Sequence, residues 1–272
     1  MLKANCLKNG CFLAVTLSYD DGISQDRRLV EIMNRYGIRG TFHLNSMHVT
    51  NDDAGHIHCE EVSKLYANHE VAVHCVTHPV LSALPNEGII EEVLEDRRTL
   101  EKCCGYPVRG MSYPYGNYDE RVIALSKACG IVYSRAVQTT GSFALPSNFM
   151  RWEGTCHHNG DLLALADKFL QTKDEYKKQP RLFYVWGHSY EFDGNNNWDL
   201  IEAFCEKVGK KDYIWYATNI EIYDYVQAMR RLCFSVDCSM VYNPSAISVW
   251  VEDNGKAVEV KPGETYREQN KQ

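Results

Sequence analysis

Two adjacent aspartates, Asp20 and Asp21, follow an apolar run at residues 13–17 and are closed by Gly22. Two carboxylates side by side repel each other unless a positive charge lies next to them. A surface Asp-Gly turn is the simpler interpretation. The other is that one carboxylate binds a metal ion while its neighbour takes a proton from water during hydrolysis.

Histidines further along the chain favour the second interpretation. His74 and His78 lie in the segment VAVHCVTHP, which is typical of a strand running into a loop, because Pro79 disfavours a helical residue before it. A loop that curls back would bring both imidazoles to one ion. A carboxylate with two imidazoles is a common ligand set for one divalent metal ion, with zinc preferred and cobalt, nickel, iron or manganese as alternatives.

The elements that must position these residues alternate along the chain between residue 13 and about residue 229. Segments rich in β-branched and aromatic residues are LAVTLSY, GTFHLN, VAVHCV, GMSYP, IVYSRAV, FMRWEG, LFYVWGHS and YIWYAT. With amphipathic stretches between several of them, they predict parallel strands joined by helical crossovers. Seven or eight such strands favour an α/β fold, a distorted TIM-like (β/α) barrel over residues 1–232.

In such a barrel the carboxyl ends of the strands meet at one face, where active sites lie. Asp20 and Asp21 end the first predicted strand, His74 and His78 follow the third, and His188 ends a late one. The predicted strands therefore bring one chemical set together.

The predicted helices have recognisable ends. Their expected starts are at Ser24, Asn86, Asp119 and Asn219, and three of them are expected to stop at Gly37, Gly105 and Gly130. After about residue 232 the pattern changes to alternating apolar and polar residues with an Asn-Gly turn. This change predicts a small antiparallel β appendage of two or three strands at residues 233–272.

Composition narrows the classes of protein. The 272 residues carry a net charge of -7 without a basic stripe, which argues against a nucleic-acid partner. No apolar run is long enough for a membrane span, and the first residues do not resemble a signal peptide, so we expect a soluble, cytoplasmic protein. The 11 cysteines are scattered without a CxxC pair, so most are expected to be reduced thiols.

The order YDDG, HCVTH, YPYG and GH resembles the polysaccharide deacetylase family, also called the NodB homology domain or carbohydrate esterase family 4. The resemblance extends from about residue 13 to residue 225. It implies a distorted barrel that removes an acetyl group from an N-acetylated sugar or polysaccharide with one divalent metal ion. It also implies that Asp20 is the base, that Asp21, His74 and His78 bind the metal, and that His188 is the general acid.

The same resemblance assigns residues around the substrate. Pro114, Tyr115 and Gly116 match the third family motif, which implies that the backbone N–H of Tyr115 helps to hold the oxyanion. Trp186 takes the apolar position beside the acyl methyl group. We expect Trp186, Tyr113 and Pro114 to contact the substrate.

Two departures from the family pattern matter. Ser112 stands where the family has an arginine that braces the base, and Arg151 is our candidate replacement. The acidic residue of the fourth motif is also missing, so either Glu191 or Asp193 is a candidate to orient His188, unless both only belong to a loop.

Several alternatives stay open from the sequence. The histidines of EGTCHHNG, His157 and His158, fit either recognition of a substrate group or a plain loop. The scaffold could act on a non-sugar amide, a formamide or an O-acyl ester instead of an N-acetylated sugar. The missing arginine also leaves a catalytically impaired carbohydrate-binding barrel as a hypothesis.

Overall fold

A computed structural model describes residues 1–51, 54–175 and 179–269, and each of the eight predicted strand segments contains a strand in it. One short strand, β7, was not predicted. The strands are β1 (Leu13–Asp21), β2 (Gly40–Leu44), β3 (Glu70–Val73), β4 (Gly110–Ser112), β5 (Tyr133–Thr139), β6 (Trp152–Gly154), β7 (Cys156–His157), β8 (Arg181–His188) and β9 (Ile214–Tyr216).

These strands form one parallel sheet with the order β6-β5-β4-β3-β2-β1-β8-β7. Its two ends, β6 and β7, are consecutive in the chain and are separated only by Thr155, whose backbone N–H donates to the carbonyl of Tyr184 at 2.7 Å. We call residues 152–157 the closing segment, because it joins β5 to β8. The sheet is therefore the predicted distorted barrel, with β9 paired to the first residues of β1.

Helices surround the sheet. They are α1 (Asp26–Arg35), α2 (Ser46–Thr50), α3 (Cys59–Leu65), α4 (Asn86–Cys104), α5 (Glu120–Ala128), α6 (Leu162–Gln171), α7 (Tyr190–Gly194), α8 (Trp198–Val208) and α9 (Asn219–Arg230). Apolar side chains of α1, α4, α6 and α8 pack with the outward-facing residues of β1 and β8 in the main core. None of the described helices has the length and apolar composition that crossing a membrane requires.

The predicted helix ends are right at some positions and displaced by a residue or two at others. The carboxylate of Asp119 accepts the N–H of Val122 at 2.8 Å, which confirms it as the cap of α5. Gly105 and Gly130 end α4 and α5 with φ of +82° and +85°, a backbone region that favours glycine. The residues that precede α1, α4 and α9 are Gln25, Pro85 and Thr218, so Ser24, Asn86 and Asn219 are not the caps.

Polar side chains fill part of the barrel interior. Thr16 Oγ1 donates to Asn219 Oδ1 at 3.0 Å. The buried carboxylate of Glu70 accepts hydrogen bonds from Thr41 Oγ1 at 2.9 Å, Tyr133 Oη at 2.7 Å and the backbone N–H of Ile220 at 2.8 Å. Burial raises the pKa of Glu70 to about 7, despite these donors.

Residues after Leu232 form β-structure in the described part of the chain. The strands β10 (Cys233–Phe234), β11 (Met240–Tyr242) and β14 (Thr265–Arg267) make one antiparallel sheet, and β12 (Val249–Asp253) pairs with β13 (Lys256–Val260). The prediction of antiparallel strands and of a turn at Asn254 and Gly255 is confirmed, but there are five strands rather than two or three. Leu2 packs in the apolar cluster of this region, so the start of the chain contacts the appendage.

The expectation for the cysteines is confirmed for most of them. Nine of the 11 are free thiols. Cys59 and Cys103 form a disulfide that joins α3 to α4 and that was not predicted. The two residues are 44 positions apart, and no spacing pattern pairs them.

Glu70→Gln is expected to make folding stability less sensitive to pH. The pKa of Glu70 is about 7 in the folded protein and about 4.3 in the unfolded chain. Its contribution to the free energy of unfolding is therefore complete below about pH 4.3 and is lost as pH rises through 7. The melting temperature of the wild type should fall between about pH 5 and pH 8, and that of the variant should fall less. Burial also raises the pKa of Asp26 and of Asp96 to about 7. These two residues therefore keep part of the pH dependence in the variant.

Thermal unfolding followed by circular dichroism would measure this difference, with the exposed Glu91→Gln as the matched control. An equal fall in melting temperature for the wild type and Glu70→Gln would contradict the account of the buried carboxylate.

Candidate active site

The two aspartates face different surroundings at the end of β1. Asp20 continues the strand and is buried in the barrel interior, in register with His43 of β2 and His188 of β8. Asp21 has a φ of +78°, and its side chain remains 25% exposed at the carboxyl end of the barrel. The backbone thus directs the two carboxylates to different partners.

Asp21 lies beside both predicted histidines. Its Oδ1 atom is 3.6 Å from Nε2 of His74 and 4.0 Å from Nε2 of His78. The loop after β3 curls, as predicted, with left-handed backbone at Cys75 (φ +68°) and His78 (φ +56°). All three ligand atoms lie within 4.8 Å of one another. A tetrahedral zinc site spaces its ligand atoms by roughly 3.4 Å, so small adjustments would fit these three to one ion.

The protonation of His74 also fits a metal ligand. Its Nδ1 atom is 3.0 Å from the carbonyl oxygen of Ser112, which can only accept, so Nδ1 carries the proton and Nε2 keeps a lone pair facing Asp21. Burial lowers the pKa of His74 to about 3, which keeps the ring neutral. Burial, and to a lesser extent the charge of Asp20, raises the pKa of Asp21. A bound cation would offset the free-energy cost of keeping this carboxylate ionised.

An arginine braces Asp20, but it is not the predicted one. Arg135 of β5 is fully buried, and its guanidinium donates to Oδ2 of Asp20. Arg135 is the register partner of Ser112 on β4, so the neighbouring strand supplies the charge that the third motif lacks. The prediction for Arg151 is wrong: its side chain is 43% exposed and pairs with Glu120.

Two further side chains contact Asp20. Nδ1 of His43 and Oγ of Ser112 each lie 3.2 Å from Oδ1 of Asp20. Burial alone would raise the pKa of Asp20, but the charge of Arg135 and the hydrogen bond of His43 hold it well below its usual range. The carboxylate of Asp20 is therefore ionised. His43 was not predicted as a site residue, although its position near the end of the segment GTFHLN was a usable signal.

His188 has a carboxylate partner. Its Nδ1 atom lies 2.7 Å from Oε1 of Glu191, one turn further on in α7. Burial lowers the pKa of His188, but Glu191, Asp20 and Asp21 outweigh it, and the net shift is upward. Of the two acids considered, Glu191 is the one that contacts His188. Asp193 instead accepts a hydrogen bond from the indole of Trp198.

The residues expected at the substrate differ in exposure. Tyr115 has a φ of +57° and a side chain that is 65% exposed, with its ring against His78. Trp186 is 8% exposed and lies against His157 and Arg135. The expectation for Tyr113 is wrong, because its side chain is buried and its hydroxyl donates to the carbonyl of Met150. Pro114 is buried as well.

Comparison with known proteins agrees with the fold and the motifs. The family model "Polysaccharide deacetylase" matches residues 9–134, which contain the paired aspartates, His74, His78 and residues 114–116. This match confirms the resemblance to the polysaccharide deacetylase family over that part of the chain. Arg135 and His188 lie beyond it.

Individual relatives agree with this result. A chitooligosaccharide deacetylase from Bradyrhizobium sp. (strain ANU 289) is 29% identical over 122 residues, which cover 43% of this chain and 53% of that protein. Chitin deacetylase 1 from Cryptococcus neoformans var. grubii is 28% identical over 117 residues, which cover 42% of this chain and 24% of that protein. The matched regions thus span about half of the first relative and a quarter of the second.

A solved structure supports the fold beyond the matched region. The Xyl-CE4 domain of a multidomain xylanase, from the hindgut metagenome of Trinervitermes trinervoides, superposes with a TM-score of 0.54 at 17% identity. The superposition covers 79% of this chain and 92% of that domain. At this identity the likeness shows a shared fold.

His74→Ala is expected to lose metal binding, because it removes the buried imidazole whose lone pair faces Asp21. The affinity for zinc should fall at least tenfold, the order of loss found when the groups that support a metal ion are removed. Atomic emission would measure this as less zinc bound per chain after dialysis. Asp20→Asn is the control and should keep the ion, because Asp20 lies against Arg135 rather than in the ligand set. Equal zinc content in the wild type and His74→Ala would overturn the ligand assignment.

Proposed function

We propose that this protein is a metal-dependent hydrolase that removes an acetyl group from an N-acetylated sugar or oligosaccharide. The observation that carries the proposal is the separation of roles at the end of β1. Asp21 and two imidazoles form a possible ligand set for a cation, whereas Asp20 forms a salt bridge with Arg135 inside the barrel. The similarity to deacetylases of chitin and chitooligosaccharides supports the choice of substrate class.

Asp21, His74 and His78 would hold the metal ion. When bound, a divalent ion supplies Lewis-acid polarisation of the acyl carbonyl and of the attacking water. His74 contributes a neutral ring whose tautomer the carbonyl of Ser112 selects. The curled loop after β3 brings His78 to the same carboxylate.

Asp20 is suited to receive the proton of the attacking water. Arg135 and His43 hold the carboxylate in place and keep it ionised at neutral pH. A fixed and ionised acceptor pays no reorganisation cost when the proton moves.

His188 is suited to protonate the leaving amine. Nδ1 of His188 is hydrogen-bonded to Glu191, so Nε2 is the nitrogen that can donate a proton to the substrate. The upward shift of its pKa increases the protonated fraction near neutral pH. Transfer of this proton to the amide nitrogen allows the C–N bond to break, and the products are acetate and a free amine.

The developing oxyanion needs a donor as well. The left-handed backbone of Tyr115 fits the proposal that its N–H holds the oxyanion, and the exposed ring of Tyr115 borders the same face as His78. Trp186 remains the candidate for contact with the acyl methyl group.

Release of the carboxylate product from zinc-loaded protein, which is acetate from the acetylated substrates and formate from a formamide, would test the proposal. The panel is N-acetylglucosamine oligomers of increasing length, an O-acetylated xylan, a formamide and a simple N-acetyl amide. We expect acetate from the N-acetyl oligomers, and Asp20→Asn should reduce turnover by on the order of a thousandfold while keeping zinc. Release only from another member of the panel would favour the altered substrate class. The absence of release from every substrate by metal-loaded protein would reject the proposal.

Exchanging two residues would test the role of Arg135. Arg135→Ser should raise the pKa of Asp20 and lower kcat by on the order of a hundredfold, because the buried carboxylate loses its main cationic partner. Since Ser112 and Arg135 are register partners, the double variant Ser112→Arg with Arg135→Ser should regain at least part of that loss, about tenfold.

Arg151→Ser is the matched control for this exchange and should stay within about twofold of the wild type, because its partner Glu120 lies at the surface. A loss in Arg151→Ser as large as that in Arg135→Ser would show that the geometry has been misassigned. The hypothesis of an impaired barrel rested on the missing motif arginine, and Arg135 removes that reason.

A further inference from the structure

Glu191 lies among three histidines. Its Oε1 atom is 2.7 Å from Nδ1 of His188 and 3.4 Å from Nε2 of His157, and its Oε2 atom is 3.2 Å from Nε2 of His158. The side-chain amide of Asn159 also donates to Oε2 at 2.6 Å. We call these three histidines, Asn159 and Glu191 the Glu191 cluster. Two of the histidines come from the closing segment and the turn after it.

Hydrogen bonding indicates which nitrogen of His157 carries its proton. The backbone N–H of Asn159 donates to Nδ1 of His157 at 3.2 Å, so this nitrogen accepts, and a neutral ring carries its proton on Nε2, facing Glu191. His157, His188 and Glu191 are also close enough to bind a metal ion. A metal on Nε2 needs a lone pair there, so the contact with Asn159 favours a hydrogen-bonded cluster instead.

His158 is the most enclosed member. Its ring is fully buried and stacks on Tyr19, with centroids 5.7 Å apart, and on Phe192, at 4.2 Å. Burial lowers the pKa of His158, which keeps the ring neutral. The contact with Glu191 is close, although its direction is not ideal for a hydrogen bond. These aromatic neighbours hold the ring beside the carboxylate.

We propose that His157 and His158 are positioning residues that act on His188 through Glu191, by sharing the charge of the carboxylate and fixing its orientation. This inference rests on the proposed function, in which His188 donates a proton. Each further N–H that lies against the carboxylate takes up part of its negative charge, so His188 binds its proton less tightly than it would beside Glu191 alone. His188 then remains acidic enough to release the proton to an amine.

The groups that face His188 come from three directions. They are Asp20 and Asp21 from β1, Tyr190 and Glu191 from α7, and His157 and His158 from the closing segment and its turn. The two aspartates raise the pKa of His188 whether or not the cluster is intact. A substitution of His157 or His158 therefore changes only the part of the pKa shift of His188 that is due to Glu191.

The test compares leucine with glutamine at these positions. His157→Leu and His158→Leu remove the donor, whereas His157→Gln and His158→Gln keep an N–H close to the position of Nε2. In the leucine variants the alkaline limb of the pH profile of kcat/KM should move up by about half to one pH unit, and the glutamine variants should stay near the wild type. A merely structural role would lower activity without moving the limb.

A second measurement separates this inference from the proposed function. Titration of His188 followed by NMR in metal-free protein reads the same shift without any turnover, so it remains decisive if no substrate is hydrolysed. His157 is partly exposed, so its leucine variant is expected to fold even if that of the buried His158 is not.

Two results would overturn the proposal. One is an unchanged titration of His188 in both leucine variants. The other is a second equivalent of zinc bound by the wild type and lost in His157→Leu, which would make the cluster a metal site.

Discussion

The buried charge of Asp20 is the constraint on which the rest of the site depends. Taking a carboxylate and a guanidinium out of water costs on the order of several kcal/mol per ion, and this is recovered only with close contact and further hydrogen bonds. Arg135 supplies the contact, and His43 and Ser112 supply further polar contacts. These partners come from β5, β2 and β4, so charge balance at one carboxylate links four strands of the barrel, β1 included.

The need to balance the buried charge of Asp20 also explains why Asp21 has different surroundings. Asp21 could not share Arg135 without leaving one carboxylate uncompensated, and its left-handed backbone turns it towards the open face instead. There the nearest groups are the imidazoles of His74 and His78, and a cation bound among them would balance its charge. Two residues adjacent in sequence thus provide an internally neutralised carboxylate and one that favours binding a cation.

Sequence reasoning succeeded where the signal was local. Alternating apolar segments predicted the strands, and polar residues at their ends predicted Asp20, Asp21, His74, His78 and His188 as one set. It failed for Arg135, because that residue replaces the motif arginine from a different strand, and only the pairing of Ser112 with Arg135 reveals this. The disulfide of Cys59 and Cys103 and the register of His43 with Asp20 are likewise long-range pairings without a local pattern.

The closing segment has a consequence for how this scaffold can vary. Residues 152–157 complete the barrel by pairing with strands on both sides, and the same short stretch ends in His157 beside the carboxylate that holds His188. Sheet closure and the surroundings of His188 therefore depend on the same short segment of chain. One residue inserted in this segment would shift the register of β7 and displace His157 and His158 together. An insertion in the closing segment would therefore disturb the sheet and the histidines around Glu191 at once.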